Sequence, residues 1–292
     1  MKMKKWFLPL ASALMLLLPS ATQAQVKSLL WKISGNGLPQ ESYLFGTIHI
    51  IPAKDYFLPK GVDSLLSVSQ KLVLEMDISD PSLQMKLLGA MMLDSGRTLA
   101  SLYTEKEYSY LTKQLEKKYG IPISALVTMK PILIQQSLMM KEIAGSDFKS
   151  YEKEFMAKAK TNGTEIVGLE TLEDQLNALN AMPVAEQADE LLKAVKNPGE
   201  AEKSLGKLIK KYKTQDVDAL YKSVSGDKAD LKKYEDDLLV NRNKNWIPKI
   251  AELAKKERVF IAVGAAHLGG ENGVINLLRK AGFTVEPVLT EN

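Results

Sequence analysis

Short apolar runs lie at both ends of the chain, and a long middle with the period of helices separates them. From Ser28, SLLWKIS and YLFGTIHI flank the turn-forming segment GNGLPQES, which predicts a β-hairpin. Three further runs are KLVLEMDIS from Lys71, TEIVGLE ending at Glu170, and Val259–Val263. Apolar runs of this length, bounded by turn residues, are typical of strands buried in a sheet. The pattern therefore predicts an α/β fold.

The middle of the chain has apolar residues at spacings of three and four, as in EYSYLTKQLEKKYG and PILIQQSLMMKEIA. This spacing predicts amphipathic helices. No low-complexity stretch or linker divides the sequence, so we expect one domain over 25–292. Its mixed sheet would carry a large helical insertion or cap over about 81–160 and 171–256. Shorter helices are predicted at 60–69, 149–160 and 272–280.

The first 25 residues read MKMKKWFLPLASALMLLLPSATQAQ. Three lysines precede an apolar run from Trp6 to Pro19, and small residues follow as far as Ala24, which is the pattern of a secretory signal. We expect cleavage after Ala24 and a secreted or periplasmic protein. The alternative is a membrane anchor, but the run is short for a bilayer and no basic stop-transfer cluster follows it. No stable membrane span is then expected in the mature chain.

The composition narrows the chemistry further. The sequence contains no cysteine, which excludes disulfides, thiolate zinc sites, iron–sulfur clusters and a cysteine nucleophile. A metal would need nitrogen and oxygen ligands. The 39 Lys and Arg exceed the 35 Asp and Glu by four, and without the three lysines of the signal the excess is one. A nearly neutral surface argues against a nucleic-acid binder, which needs a basic face to neutralise phosphates.

The chain has only two histidines, and both occupy the same sequence frame. His49 in GTIH and His267 in GAAH each follow, by three residues, a glycine that closes an apolar strand. Glycine lets the backbone approach a neighbour closely, and the third following residue then projects over the strand ends. A lone histidine of this kind is often structural. Two in one frame favour a site in which imidazole binds a metal or moves protons.

Two carboxylates and an arginine complete the candidate site. Glu75 in LVLEMD and Glu170 in GLET fall at strand ends, where the apolar run directs them away from a solvated face. Each could instead serve a helix N-cap or a salt bridge. Arg242 lies in NRNKNW, a donor-rich run that includes Asn245. This run is either the N-cap region of an amphipathic helix or a site that binds an oxyanion or carboxylate.

The segment 267–273, HLGGENG, precedes a predicted helix and has the composition of a glycine-rich anion cradle. It matches neither the dinucleotide fingerprint nor the P-loop. The Gly-x-Ser-x-Gly elbow of many serine hydrolases is absent from the sequence. The sequence therefore favours neither nucleotide binding nor serine-triad catalysis.

The ordered set of these motifs resembles the TraB/GumN family of secreted bacterial proteins. The set comprises GTIH, LVLEMD, GLETLEDQ, NRNKNW, GAAH and HLGGENGV, and it spans about 29–289. The family is similar to the Tiki proteases and, more distantly, to erythromycin-esterase-like and ChaN-like proteins. The resemblance implies an α/β core of two related halves, each bringing one Gly-x-x-His motif to a site between them.

Tiki proteins act as metal-dependent peptidases that favour manganese or cobalt. The resemblance therefore implies that His49, His267 and Glu75 bind a divalent metal, with manganese, cobalt and zinc all compatible with these ligands. We expect a hydrolase, in the first place a peptidase, with a peptide or small-molecule substrate. Glu170 is the candidate general base. Arg242 and Asn245 are the candidate substrate-binding residues, and Arg242 would also stabilise an oxyanion.

Two alternatives remain open from the sequence. In a metal-independent hydrolase, as in the erythromycin-esterase-like relatives, one histidine activates water, Glu75 orients it and Arg242 aids binding. In a binding protein, His49 or His267 is an axial ligand of haem, as in ChaN-like relatives, or the protein captures a peptide.

Overall fold

The computed structural model describes residues 26–78, 83, 86, 89–94, 96–143, 147–226 and 231–289. The predicted signal segment lies outside the described residues. Within them the chain forms eight strands. They are β1 (Leu30–Ser34), β2 (Ser42–Thr47), β3 (Ile51–Pro52), β4 (Lys71–Leu74), β5 (Phe148–Lys149), β6 (Glu165–Gly168), β7 (Val259–Gly264) and β8 (Thr284–Pro287).

Six strands form one mixed sheet in the order β6-β4-β7-β2-β1-β8, and β3 pairs with β5 in a second, small sheet. The four strands β6, β4, β7 and β2 run parallel to one another, whereas β1 is antiparallel to both β2 and β8. The predicted α/β class and the predicted hairpin of β1 with β2 are confirmed. Strands β2 and β7 are adjacent, and Thr47 lies opposite Gly264. The two Gly-x-x-His motifs therefore emerge side by side.

The described residues also form ten α-helices. They are α1 (Val62–Ser67), α2 (Glu105–Tyr119), α3 (Pro131–Ile143), α4 (Tyr151–Asn162), α5 (Leu172–Asn180), α6 (Val184–Lys196), α7 (Glu200–Lys213), α8 (Val217–Ser225), α9 (Asn241–Lys256) and α10 (Val274–Lys280). Local chemistry sets several boundaries. The Ser150 side chain accepts from Lys153 N at the start of α4, and Gly163 ends that helix in the left-handed conformation. Thr171 and Asp174 cap α5 reciprocally.

Two hydrophobic clusters divide the helices between them. The larger cluster surrounds the six-stranded sheet and contains residues of α4, α7, α8 and α9. In it, the Phe155 ring lies 5.5 Å from that of Phe45 and 5.6 Å from that of Phe260, so α4 is packed directly onto β2 and β7. The smaller cluster joins α2, α3 and α6 through residues such as Leu115, Ile134 and Leu191. The helical middle thus supplies both a covering layer for the sheet and a separate helical cluster.

None of the helices in the described ranges combines the length and apolarity that a bilayer crossing requires.

Candidate functional site

The carboxyl ends of the four parallel strands bring together the candidate residues. His49 follows β2, Glu75 follows β4, Glu170 follows β6 and His267 follows β7, each within three positions of the strand end. Parallel strands share one carboxyl edge, where open α/β sheets bind their ligands. Arg242, from the first turn of α9, reaches the same edge.

The glycines of the two histidine motifs are sites of close approach. A Cβ at Gly46 would lie 2.9 Å from Ala265 Cβ, so this glycine lets β2 pack against the turn that follows β7. A Cβ at Gly264 would lie 3.3 Å from Glu75 Oε1, 3.5 Å from His267 Cδ2 and 4.0 Å from His49 Nε2. His49, Glu75 and His267 therefore converge over Gly264.

Arg242 is held between two buried carboxylates. Its Nη2 donates to Glu75 Oε2 at 2.7 Å and to Glu170 Oε1 at 2.6 Å, and its Nε donates to Glu170 Oε2 at 3.0 Å. Nη1 donates to Leu238 O at 3.0 Å and faces His267 Nε2 at 3.2 Å. All five N–H groups of the guanidinium are thus engaged. Burial opposes its charge, but the hydrogen bonds and charges of Glu170 and Glu75 raise the pKa of Arg242 further above its ordinary value.

Glu75 is ionised at the centre of this site. Burial by itself raises the pKa of a carboxyl, but the charges of Arg242 and His49 and the N–H of Gly264, which donates to Oε1 at 2.7 Å, lower the pKa of Glu75 below its ordinary value. Its Oε2 is taken by Arg242, and its Oε1 lies 3.9 Å from His267 Nε2. The carboxylate therefore links the arginine to the histidine.

His267 is buried and neutral. Its Nδ1 lies 2.6 Å from Asn243 Oδ1. The Asn243 amide nitrogen donates to Asn272 O and His267 O, which fixes its oxygen as the acceptor and so places the imidazole proton on Nδ1. The Nε2 lone pair then faces Arg242. Burial outweighs the charge of Glu75 and lowers the pKa of His267 to about 3.

His49 has the opposite environment. Its side chain is 68% exposed, and Nδ1 lies 3.0 Å from Oε1 of Glu152, a residue of the first turn of α4. The hydrogen bond to Glu152 is the main cause that raises the pKa of His49 to about 9, although solvent reaches most of the ring and screens the pair.

The contacts of Glu170 and Asn245 refine two predicted roles. Glu170 accepts four hydrogen bonds, two from Arg242, one from Gln175 Nε2 at 2.7 Å and one from Trp246 Nε1 at 3.0 Å. A carboxylate saturated in this way orients Arg242 and has no free oxygen with which to activate water. Asn245 is exposed on the wall of a cleft of about 320 Å³ between α5 and α9, whose lining includes Glu170 and Arg242.

One of the two alternatives for NRNKNW and the interpretation of the glycine-rich loop are wrong. NRNKNW is not an N-cap region, because a π-helical turn, Asp236–Val240, runs directly into α9 and no side chain caps the junction. The glycine-rich loop is not an open anion cradle. A Cβ at Gly269 would lie 2.4 Å from Val217 O, and the N–H of Gly270 donates to Asp218 Oδ1 at 2.7 Å. These glycines allow the loop to pack against α8, and a carboxylate of the chain itself takes the N–H.

Glu152, Asn243, Trp246 and Gln175 join the site without having been singled out as functional from the sequence. Glu152 follows Ser150 in KSYEKE, where an acid in the first turn of a helix already has a reason to be present. Asn243 and Trp246 lie in the same polar run as Arg242, so the density of donors in that run was the available signal.

The donor set fits a divalent metal in its chemistry. Glu152 and Asn243 hold the Nδ1 atoms of the two histidines, so Nε2 is the nitrogen of each ring that a metal would take, the outer arrangement usual for metal-binding histidines. Glu75 adds an ionised oxygen. Over the part of the chain that the structure describes, no three His, Asp or Glu side chains are grouped closely enough to hold an ion as they stand. Instead, Arg242 Nη1 takes the lone pair of His267 Nε2.

Comparison with known proteins gives consistent matches over nearly the whole chain. Curated relatives include Metalloprotease TIKI homolog from Nematostella vectensis, which is 22% identical over 93% of this chain and 69% of the relative. Metalloprotease TIKI2 of Xenopus tropicalis is 22% identical over 91% of this chain and 60% of the relative, and that of Danio rerio is 22% identical over 91% and 62%. The chain thus spans 60% to 69% of the length of these relatives.

No solved structure matches the chain significantly. The sequence profile of the TraB/PrgY/gumN family matches residues 29–287, from the residue before β1 to the last residue of β8. The family predicted from the motifs is therefore confirmed, and this protein belongs to the TraB/PrgY/gumN family.

Proposed function

We propose that this protein is a metal-dependent hydrolase that cleaves peptides outside the cytoplasm. The observation that carries the proposal is the convergence of His49, Glu75 and His267 over Gly264, with both Nδ1 atoms held from outside. The metalloprotease names of the TIKI relatives support the same chemistry. A divalent ion bound by these three residues would polarise a carbonyl and lower the pKa of a bound water.

The residues around the proposed metal position over Gly264 have separate tasks. His267 is neutral and Glu75 ionised, which are the states in which each can act as a ligand. Glu170 binds one side of Arg242, and Trp246 donates to Glu170 while its ring lies 5.1 Å from the guanidinium carbon. When His267 Nε2 is used as a ligand, Arg242 Nη1 loses that acceptor and one N–H becomes available to a developing oxyanion.

The cleft between α5 and α9 is the proposed binding place for the substrate. It opens beside Arg242, and exposed amides of Asn177, Asn241 and Asn245 line it. Amide side chains both donate and accept, so they suit the main chain of a peptide. A volume of about 320 Å³ admits a short segment of a substrate and leaves the rest on the surface.

The test is metal content and peptide hydrolysis of the purified protein. Elemental mass spectrometry of the wild type, His49→Ala and His267→Ala, each loaded with manganese, cobalt or zinc after stripping, should give stoichiometric metal only in the wild type. Hydrolysis of a peptide library should depend on the same ion. Retention of full metal binding in both variants would contradict the site.

A metal-independent hydrolase is the second candidate, and one observation favours it. His49 is exposed and backed by the Glu152 carboxylate, an arrangement in which the ring can act as a general base on water once it has lost its own proton, at a pH towards 9. Chelation separates the candidates. Activity that survives exhaustive chelation, with loss of metal verified by mass spectrometry, supports the His49–Glu152 mechanism and excludes the metal-dependent one.

A further inference from the structure

Glu152 is a carboxylate with three donors at the edge of the site. Its Oε1 accepts from Thr47 Oγ1 at 2.7 Å and from His49 Nδ1 at 3.0 Å, and its Oε2 accepts from Ser150 Oγ at 2.9 Å. Thr47 is the last residue of β2, two positions before His49. The carboxylate therefore binds both the strand end and the imidazole that follows it.

The backbone that carries Glu152 is fixed by the core. The neighbouring Tyr151 is completely buried, its ring lies 5.7 Å from that of Phe45 on β2, and its hydroxyl donates to Phe57 O at 2.6 Å. Phe155, one turn later, is also completely buried. The first turn of α4 also favours a negative charge through the helix dipole. A rigid, ionised acceptor thus faces an imidazole that is itself exposed.

Exposure makes an outer partner necessary for His49. A solvent-exposed ring has two χ angles to fix before either nitrogen points at the position over Gly264. In the hydrogen bond to Glu152, Nδ1 of His49 is the donor. The other nitrogen, Nε2, then faces Gly264 and lies 4.0 Å from the position that a Cβ on this glycine would occupy. Asn243 performs the corresponding task for the buried His267.

We infer that Glu152 is the positioning residue of His49, which selects the ring orientation and the ligand nitrogen of this histidine. The inference rests on the proposed function, because it assigns His49 Nε2 as a ligand atom. Outer partners of this type typically change metal affinity by about 10- to 100-fold when they are removed.

The experiment compares Glu152→Gln and Glu152→Ala with the wild type and with Glu154→Gln as a matched control. Glu154 is an acid in the same first turn, but it pairs with Lys149 at 3.3 Å on the surface. Manganese, cobalt and zinc affinities are measured by titration of the stripped full chain. We expect about a 10-fold loss for Glu152→Gln, which keeps an acceptor, about a 100-fold loss for Glu152→Ala, and no change for Glu154→Gln.

A second readout needs no metal. Because the chain has only two histidines, imidazole ¹⁵N spectra contain two sets of signals, and the His49→Ala variant assigns them. We expect Nδ1 of His49 to stay protonated across the pH range in the wild type, Glu154→Gln and Glu152→Gln. In Glu152→Ala the neutral ring should instead be a mixture of two tautomers, with the proton on Nδ1 or on Nε2. If neither the wild type nor any variant binds metal, the proposed function fails, but the ¹⁵N spectra of His49 still decide whether Glu152 positions the ring. Identical spectra and affinities in Glu152→Ala and the wild type would overturn the inference.

Discussion

The two histidine motifs differ in everything except their sequence frame. The side chain of His267 is only 6% exposed, bonded to an amide and held neutral, whereas that of His49 is 68% exposed, bonded to a carboxylate and of raised pKa. Both follow a glycine on adjacent parallel strands. The shared frame thus determines the backbone position of each histidine. The partner of each ring, and with it the pKa, comes from a helix elsewhere in the sequence, α9 for His267 and α4 for His49.

Removal of Arg242 should lower the free energy of unfolding more than any other change in the site. Arg242→Met leaves Glu75 and Glu170 buried without their cation, and loss of one partner from a buried ion pair costs about 3–5 kcal/mol. Urea unfolding measures the change. Lys256→Met is the control, since its ion pair with Glu252 is exposed to solvent and contributes little to stability. Equal effects of the two variants would mean that burial of the Arg242 network is not a source of stability.

Asn243→Asp would give His267 a carboxylate partner like that of His49. The variant loses the amide donors to Asn272 O and His267 O, which should lower the free energy of unfolding by about 1–3 kcal/mol. It should also raise the pKa of His267, because a negative charge favours the imidazolium. NMR titration of the two histidines measures both pKa values.

Asn276→Asp is the matched control for this variant. Asn276 donates to Gly270 O at 2.8 Å, so an amide–carbonyl bond is again lost, but no contact with either histidine is involved. Its effect on stability should be smaller, because one bond of a half-buried residue is lost rather than two of a buried one, and its effect on the pKa of His267 should be absent. A shift of that pKa in both variants would point to a general loosening of the fold.

The glycines of the two motifs should also respond differently to alanine. In Gly46→Ala the new Cβ meets Ala265 at 2.9 Å, and overpacking of this kind costs about 1–3 kcal/mol. In Gly264→Ala the Cβ enters the site beside Glu75 and His267, at 3.3 and 3.5 Å. We expect metal affinity to fall more than stability there, and the reverse for Gly46→Ala. Unfolding experiments and metal titrations of both variants make the comparison. Gly37→Ala cannot serve as an exposed control, because the φ of 76° at Gly37 would strain an alanine.

The sequence predicts the sheet well because its signals are local. The hairpin, the strand of Val259–Val263 and the positions of His49, Glu75, Glu170 and His267 at strand ends follow from short apolar runs closed by turn residues. The outer partners do not follow. Glu152 lies 103 positions from His49, and an acid after a Ser N-cap looks like a capping residue.

The errors have similar physical origins. The start of α9 is misjudged because the π-helical turn before it contains no glycine or proline and runs into α9 without a side-chain cap at the junction. The loop 267–273 is misread because glycines that allow close packing and glycines that bind anions have the same sequence signature.

The smallest expected effect is that of His49 on the pH dependence of stability, and its sign, opposite to that of His267, tests the comparison most directly. The pKa of His49 in the folded protein, about 9, exceeds the ordinary value, so its contribution to stability is complete below about pH 6.5 and is lost as the pH rises towards 9. The pKa of His267, about 3, is below the ordinary value, so its stability is complete above about pH 6.5 and is lost as the pH falls.

Unfolding free energies of the wild type, His49→Gln and His267→Gln over pH 4–9 test these signs. In the difference between wild type and variant, the titration of the carboxylates common to both largely cancels. The His49 difference should decline above neutral pH by less than about 1 kcal/mol, because the ring is exposed and screened. The His267 difference should rise between pH 4 and 6.5. Slopes of the same sign for both residues would show that the two motifs share one environment after all, and that the distinct partners from α4 and α9 do not control the histidines.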